Sequence, residues 1–195
     1  MLNIDCISTL HLITNIKDNY NLLLINKNYN KVLNEKLNVI SNKLVNKLII
    51  NNEFNKIILQ YKNIYILDLE CTKITDDSVK LLRNCYTLNL YNTKITDESV
   101  KLLGNCHRLN FYYAKITDES VKLLGNCHTL YLVDTNITDE SVKLLGNCHT
   151  LFLSNKNITD ESVKFLSNCH TLYLGDTNIT DKSLKLLGNC ILIQI

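Results

Sequence analysis

Cysteine recurs at residues 85, 106, 127, 148, 169 and 190, each 21 positions after the one before, and a fixed period of that length constrains this chain more than any other feature. A unit read from Cys127 runs Cys-His-Thr-Leu-Tyr-Leu-Val-Asp-Thr-Asn-Ile-Thr-Asp-Glu-Ser-Val-Lys-Leu-Leu-Gly-Asn, and the units from Cys85, Cys106, Cys148 and Cys169 differ from it at few positions. An earlier copy starts at Ile64 and a final fragment at Cys190. No unit this short buries an apolar face alone, so consecutive units must stack, each covering the next.

Within a unit, Leu130 and Leu132 alternate with Thr129, Tyr131 and Val133, which predicts a short strand with two leucines inward and three variable residues outward. Ile137 then points inward, Thr138 or Asp139 caps a short helix, and Val142, Leu144 and Leu145 supply a second wall. Gly146 and Asn147 suit a left-handed helix exit. The first eleven positions match L-x-x-L-x-L-x-x-N-x-L, with Cys in the first leucine place and Thr in that of asparagine. This resembles the leucine-rich-repeat family, and the cysteine with the Ile-Thr-Asp triplet is similar to its cysteine-containing class. The resemblance covers residues 64–195 and implies an α/β solenoid with a parallel concave sheet and short convex helices. Strands about 4.8 Å apart would give six intervals spanning roughly 29 Å. Ile193 and Ile195 fall in the last strand, an edge expected to be exposed or covered by a partner or by self-association.

Residues 1–50 carry no echo of the period. Their apolar residues fall at helical spacing, Ile4, Ile7, Leu10 and Leu12, then Leu22 to Ile25, then Tyr29, Val32, Leu33 and Leu37, which predicts a small all-α segment of three short helices. An amphipathic stretch from Val39 to Ile50 and a connector over 51–63 lead into the solenoid. The run Leu2-Asn3-Ile4-Asp5-Cys6-Ile7-Ser8-Thr9-Leu10 is similar to the L-P-x-E-x-L-x-x-I opening of the F-box. Asn21 to Leu33, an apolar run followed by Lys27, Tyr29 and the pair Val32-Leu33, is similar to its later stretch. That resemblance implies that Leu2, Ile4, Ile7, Leu10, Leu24, Ile25 and Tyr29 dock the Skp adaptor of a cullin-RING ubiquitin ligase, with the repeats presenting a target protein. The alternative is a stand-alone binding or structural solenoid in which these helices only cap the stack.

Composition excludes several functions. The net charge is +2; residues 1–63 hold 8 Lys/Arg against 4 Asp/Glu and the remainder 13 against 15, so neither part has the basic footprint of a nucleic-acid binder. Asp5 and His11 interrupt the early apolar positions, leaving no secretory signal, and no apolar run is long enough to span a membrane. The expected location is cytoplasmic or nuclear. Heavy use of Asn, Lys and Ile without Pro or Trp reflects A/T-rich coding DNA, which fits a eukaryote or a large DNA virus acting in its host's cytoplasm.

Columns of identical residues read as scaffold. The cysteines occupy leucine places, where a free thiol acts as a small hydrophobe, and Cys6 and Cys71 lie outside the column. His107, His128, His149 and His170 each follow a column cysteine and read as a surface ladder, since consecutive extended residues face opposite ways and do not converge on a metal. Thr72, Thr93, Thr135 and Thr177 are expected to bond turn backbone, with Ala114 and Lys156 marking weaker rungs. Asp76, Asp97, Asp118, Asp139, Asp160 and Asp181 are expected to cap helices, and lysines four residues later, such as Lys101 after Asp97, to pair with them. No nucleophile elbow, phosphate loop or zinc helix is present, so no catalytic residue, metal or cofactor is expected.

Variation is concentrated on the outward strand positions. The central one reads Asp68, Asn89, Asn110, Tyr131, Phe152, Tyr173, and two residues later the chain reads Glu70, Tyr91, Tyr112, Val133, Ser154, Gly175. Tyr91, Tyr112, Tyr131, Phe152 and Tyr173, with Arg108 beside them, have the composition of a protein-binding hot spot on the concave face.

Overall fold

The structure, a computed structural model, describes residues 25–26, 54–60, 64–188 and 190–193. Strands β2 (Ile64–Asp68), β3 (Thr87–Asn89), β4 (Arg108–Asn110), β5 (Thr129–Val133), β6 (Thr150–Ser154), β7 (Thr171–Gly175) and β8 (Ile191–Ile193) lie in chain order in one parallel sheet. Leu88, Leu109, Leu130, Leu151 and Leu172 are successive register partners, so the sequence period and the sheet register are one quantity. At the first end, β1 (Ile25–Asn26) pairs antiparallel with β2. This corrects the expected helix at Ile25, where a strand gives the outer backbone groups of β2 a partner, which a helix could not, while Leu22 to Leu24 lie outside the described residues. The other helices expected in residues 1–50 lie outside the described residues. The expected connector over 51–63 contains helix α1 (Phe54–Gln60), which buries Phe54 in the end of the core.

Cys85, Cys106, Cys127, Cys148 and Cys169, two apolar strand residues per unit (leucines except for Phe111), and the turn isoleucines and convex-side valines and leucines merge into one continuous core. The helices are single turns: α2 (Asp76–Val79), α3 (Asp97–Val100), α4 (Asp118–Val121), α5 (Asp139–Val142), α6 (Asp160–Val163) and α7 (Asp181–Leu184). Val142 and Leu145 are fully buried, but Leu144 is 55% exposed, which corrects its place in the second wall. Adjacent residues on a helical turn diverge by about 100°, so a single turn turns only one of the paired leucines inward. The glycine expectation also changes. Gly188 is the only glycine with a left-handed φ among the described residues, at 59°. Gly104, Gly125 and Gly146 instead leave room for the next unit: a Cβ would lie 2.9 Å from the Leu123 carbonyl oxygen at Gly104, 2.5 Å from that of Leu144 at Gly125, and would collide with that of Phe165 at Gly146.

Polar columns tie unit to unit. The helix caps are the threonines: Thr96, Thr117, Thr138 and Thr159 have extended φ/ψ and accept from the backbone N–H of Glu98, Glu119, Glu140 and Glu161 at 3.2–3.3 Å. The aspartates, expected to cap their own helices, reach across to the following unit. Asp97 accepts from Thr117 N–H at 3.0 Å, from the Thr117 hydroxyl at 2.7 Å and from the buried Ser120 hydroxyl at 2.5 Å. Asp76 does the same with Thr96 and Ser99, and Asp118, Asp139 and Asp160 take both Thr bonds of their neighbours. Burial raises the Asp97 carboxyl, but the Ser120 and Thr117 donors outweigh it and hold it below the ordinary carboxylate range. With the aspartates engaged, the lysines pair one residue further on: Lys101, Lys122 and Lys143 meet Glu98, Glu119 and Glu140 at 3.1–3.3 Å, and Lys80 meets Asp77 at 3.4 Å.

Three threonines of the column behave as expected, Thr72, Thr93 and Thr135 donating to the carbonyls of Leu69, Leu90 and Leu132 at 2.7–3.1 Å, whereas the half-buried Thr177 makes no such bond to the described residues. At Lys156 the missing hydroxyl is replaced by amides: Asn155 Oδ1 accepts from Asn157 N–H, its Nδ2 donates to the Thr135 carbonyl, and Asn178 donates to the Lys156 carbonyl. The column thiols of Cys85, Cys106, Cys127, Cys148 and Cys169 are free and buried, and burial pushes each up to about 12, so they are inert packing groups. Cys71 is free and exposed.

Candidate functional site

Parallel register brings the variable residues of one strand position into a line across the sheet: Asp68, Asn89, Asn110, Tyr131, Phe152 and Tyr173 are consecutive partners. The line divides in two. At its polar end Asn89 donates to Asp68 at 2.9 Å and to Glu70 at 3.5 Å. Asn89 and Asn110 also accept from the backbone N–H of Tyr91 and Tyr112, two residues on, at 3.1 and 3.0 Å. An asparagine that captures this N–H competes with the sheet ladder, which accounts for β3 and β4 ending at Asn89 and Asn110 while β5, β6 and β7 run two residues further.

At the other end the rings of Tyr131 and Phe152 stack at 4.3 Å and 15°, and those of Phe152 and Tyr173 at 5.6 Å and 29°. Val133, Ser154 and Gly175, expected to face outward, are buried. The cause is visible at Gly175, where an added Cβ would lie 2.7 Å from the Tyr173 hydroxyl oxygen: that ring folds along the sheet over the residue two places on. The aromatic ladder therefore forms the outer surface and the small residues its bed.

Tyr91 and Tyr112 belong to a second cluster. Their rings lie 5.4 Å apart, and both pack against Tyr113, at 5.7 Å and 4.7 Å with near-perpendicular geometry. Burial pushes the Tyr112 hydroxyl up, with Tyr113, Asp134, Tyr173 and Tyr91 adding to it. Tyr113 was not singled out from the sequence. It is 48% exposed and holds φ at 61°, a left-handed conformation that Cys71, Asn92, Asp134 and Asp176 adopt at the same place in other units but that a bulky residue rarely takes. The signal was there: Phe111-Tyr112-Tyr113-Ala114 stands where the unit from Cys127 has Leu132-Val133-Asp134-Thr135. Arg108 is exposed on β4, in register between Thr87 and Thr129.

Along the edge of this face runs the histidine ladder. Tyr86, His107, His128, His149 and His170 stack in sequence at 4.3–4.5 Å, and Nδ1 of His128, His149 and His170 lies 3.0–3.1 Å from the hydroxyl of the following threonine. Burial, with the neighbouring charges of His128 and Arg108, lowers His107; burial, with His128 and His170, lowers His149. Both shifts favour neutral imidazole in the folded chain, so the unfolded chain binds more protons as pH falls through about 6.5, and stability falls with it. The melting temperature is therefore expected to be lower near pH 5.5 than near pH 7.5, with the difference reduced in His149→Gln. Equal melting at both pH values by calorimetry would refute this.

Among the described residues no group of three or more His, Cys, Asp or Glu is arranged to hold a metal ion, and no helix is long and apolar enough to cross a membrane. No protein-family model and no curated protein matches the chain. Solved structures do. An internalin from Listeria monocytogenes strain 4b F2365 is similar with a TM-score of 0.56 and 23% identity, over 69% of this chain and 48% of that one. An internalin C2 from the same strain is similar with a TM-score of 0.54 and 23% identity, over 70% of this chain and 73% of that one. The chain thus spans about half the length of the first of these proteins. These likenesses concern the fold, which is a leucine-rich-repeat solenoid with a period of 21 residues.

Proposed function

We propose, taking the leucine-rich-repeat fold as the premise, that this chain is a non-enzymatic protein-interaction module that holds a protein partner on its concave sheet face. The observation that carries this reading is the Tyr131–Phe152–Tyr173 ladder, a preformed aromatic surface at the strand positions where otherwise near-identical units diverge. Stacked aromatic rings present large contact area with little side-chain entropy left to lose, which is why they dominate interface energetics. Tyr91, Tyr112 and Arg108 extend the surface towards the polar end, and the unvarying Cys, Thr, Asp and Lys columns take no part. Tyr131→Ala with Phe152→Ala is expected to weaken partner binding about 30-fold or more without unfolding the chain. Affinity capture by the two proteins, compared after circular dichroism has shown equal folding, checks this; equal capture refutes it.

The finer reading makes the partner a ubiquitination target and Leu2, Ile4, Ile7, Leu10, Leu24, Ile25 and Tyr29 the docking site for a Skp adaptor of a cullin-RING ligase. It rests on the similarity of residues 2–33 to the F-box. The pairing of Ile25 with the solenoid's first strand favours the second reading, in which this segment caps the stack. The full chain mixed with a purified Skp adaptor separates them: co-elution lost in Ile4→Asp with Ile7→Asp supports the ligase reading, and no co-elution by the parent chain removes it.

A further inference from the structure

Tyr113 stands where a tyrosine is costly and where core packing does not call for one. Its φ of 61° is left-handed, its ring is 48% exposed, and the same turn place is filled by Cys71, Asn92, Asp134 and Asp176 in other units. Asparagine and aspartate take that conformation readily; an aromatic residue does not. The ring packs against Tyr91 at 5.7 Å and Tyr112 at 4.7 Å. What the strained turn secures is therefore a group of three phenol rings on the rim of the concave face, at 44°, 63° and 75° to one another. Residues kept against backbone preference cluster where a ligand is held.

Carboxylates flank the group on both sides. Glu70 precedes Tyr91 by one unit in its row, and Asp134 follows Tyr113 by one unit in its own. Burial pushes the Tyr91 hydroxyl up, with Tyr113, Cys71 and Glu70 adding to it, and Asp134 adds to the rise at Tyr112, so both acids act on these rings. On the helix side Asp77, Glu98, Glu119 and Glu140 each meet a lysine. Among the described residues Glu70 and Asp134 meet none, Lys94 and Lys115 included, and no described cation lies over any of the three rings. Electron-rich ring faces beside unpaired carboxylates attract a cation, and a planar guanidinium suits both, stacking on a ring and forking onto an acid. An apolar side chain would leave the carboxylates desolvated without a partner, and an acidic one would be repelled. We propose that Tyr91, Tyr112 and Tyr113, with Glu70 and Asp134, seat an arginine side chain of the protein partner. This rests on the concave-face reading for the source of the arginine.

Titrating the full chain, labelled at tyrosine, with N-acetyl-arginine amide tests the seat without a partner. The ring signals of Tyr91, Tyr112 and Tyr113 in NMR spectra are expected to shift saturably, with a Kd on the order of 10 mM and at least about 5-fold more tightly than with N-acetyl-norleucine amide. N-acetyl-glutamate amide is expected to leave them unmoved. Glu70→Gln with Asp134→Asn should weaken arginine binding roughly 5-fold. Tyr113→Asn, matching Asn92 at the same turn place, should weaken it at least as much while keeping or raising the urea midpoint. Norleucine or glutamate binding as tightly as arginine overturns the proposal, as does an arginine titration that shows no saturation below ~100 mM. So do acid variants at parent affinity, or a lowered urea midpoint in Tyr113→Asn, which would make the ring a structural prop. A failed titration leaves capture by the Tyr131, Phe152 variant as the separate test of the concave face, so the two readings fall independently.

Discussion

Asp97→Ala is expected to destabilise the chain by about 3 kcal/mol near neutral pH, although Asp97 lies in neither the core nor the candidate binding face. Its carboxylate accepts three bonds from the next unit, and a hydrogen bond to a charged group contributes about 1.5–3 kcal/mol. Water can replace the acid at Thr117, which is half-buried, but Ser120 is fully buried and its hydroxyl would lose its acceptor. The full sum of three bonds is therefore not expected. Asp97→Asn should cost about 1 kcal/mol, because an amide keeps one carbonyl for Thr117 N–H and Ser120 while its NH₂ can donate to the Thr117 hydroxyl. The acid's folded pKa is depressed, so its contribution is present above the unfolded value of about 3.9 and is lost as pH falls through the folded one. Urea denaturation of the parent and both variants checks the prediction; equal losses for Ala and Asn, or an alanine effect that persists in strong acid, would overturn it. In a one-dimensional stack this bond is an interface term, so weakening it should also broaden the transition as the two halves uncouple.

Gly146→Ala is expected to cost about 2–3 kcal/mol, as overpacking against backbone does. The new methyl meets the carbonyl oxygen of Phe165, a backbone atom with no rotamer to change, so the neighbouring unit must move. Gly125→Ala and Gly104→Ala are expected to cost progressively less, in the order of their clearances from the Leu144 and Leu123 carbonyls. Were the three glycines present for a left-handed backbone, the penalties would be alike. Midpoints of denaturant unfolding for the three variants distinguish the two causes.

Periodicity made the solenoid, its strands and its buried cysteines legible, because a repeated pattern of strand alternation has one stacked solution. The histidine ladder followed as well, since parallel register sets equal positions of successive units side by side. What the pattern concealed were contacts between units. Asp97 stands at the start of a helix, where capping is the ordinary explanation, and only the stacked geometry brings it to Thr117 and Ser120. Leu144 and Leu145 are alike in hydropathy, and the turn that follows the single-turn helix decides between them by orientation alone. Alternation alone puts Val133 outward with Tyr131, yet Val133 is buried while Tyr131 is only half-buried. The aromatic line itself was readable, but its division into a stacked ladder and a separate tyrosine cluster depended on Tyr113, whose place in a turn hid it from strand alternation.

The aspartate bonds have a consequence for how such a gene can change length. Each joins an acid to a threonine 20 residues later and, where the serine also bonds, to a serine 23 later, always in the next copy. Excising or duplicating any whole 21-residue segment between equivalent points rejoins an identical acid to an identical threonine and serine, so no bond of this kind is left broken at the seam. Unequal recombination can therefore lengthen or shorten the binding surface in whole-unit steps while every junction stays chemically the same, and substitutions on the sheet face then diversify copies whose joints need no repair.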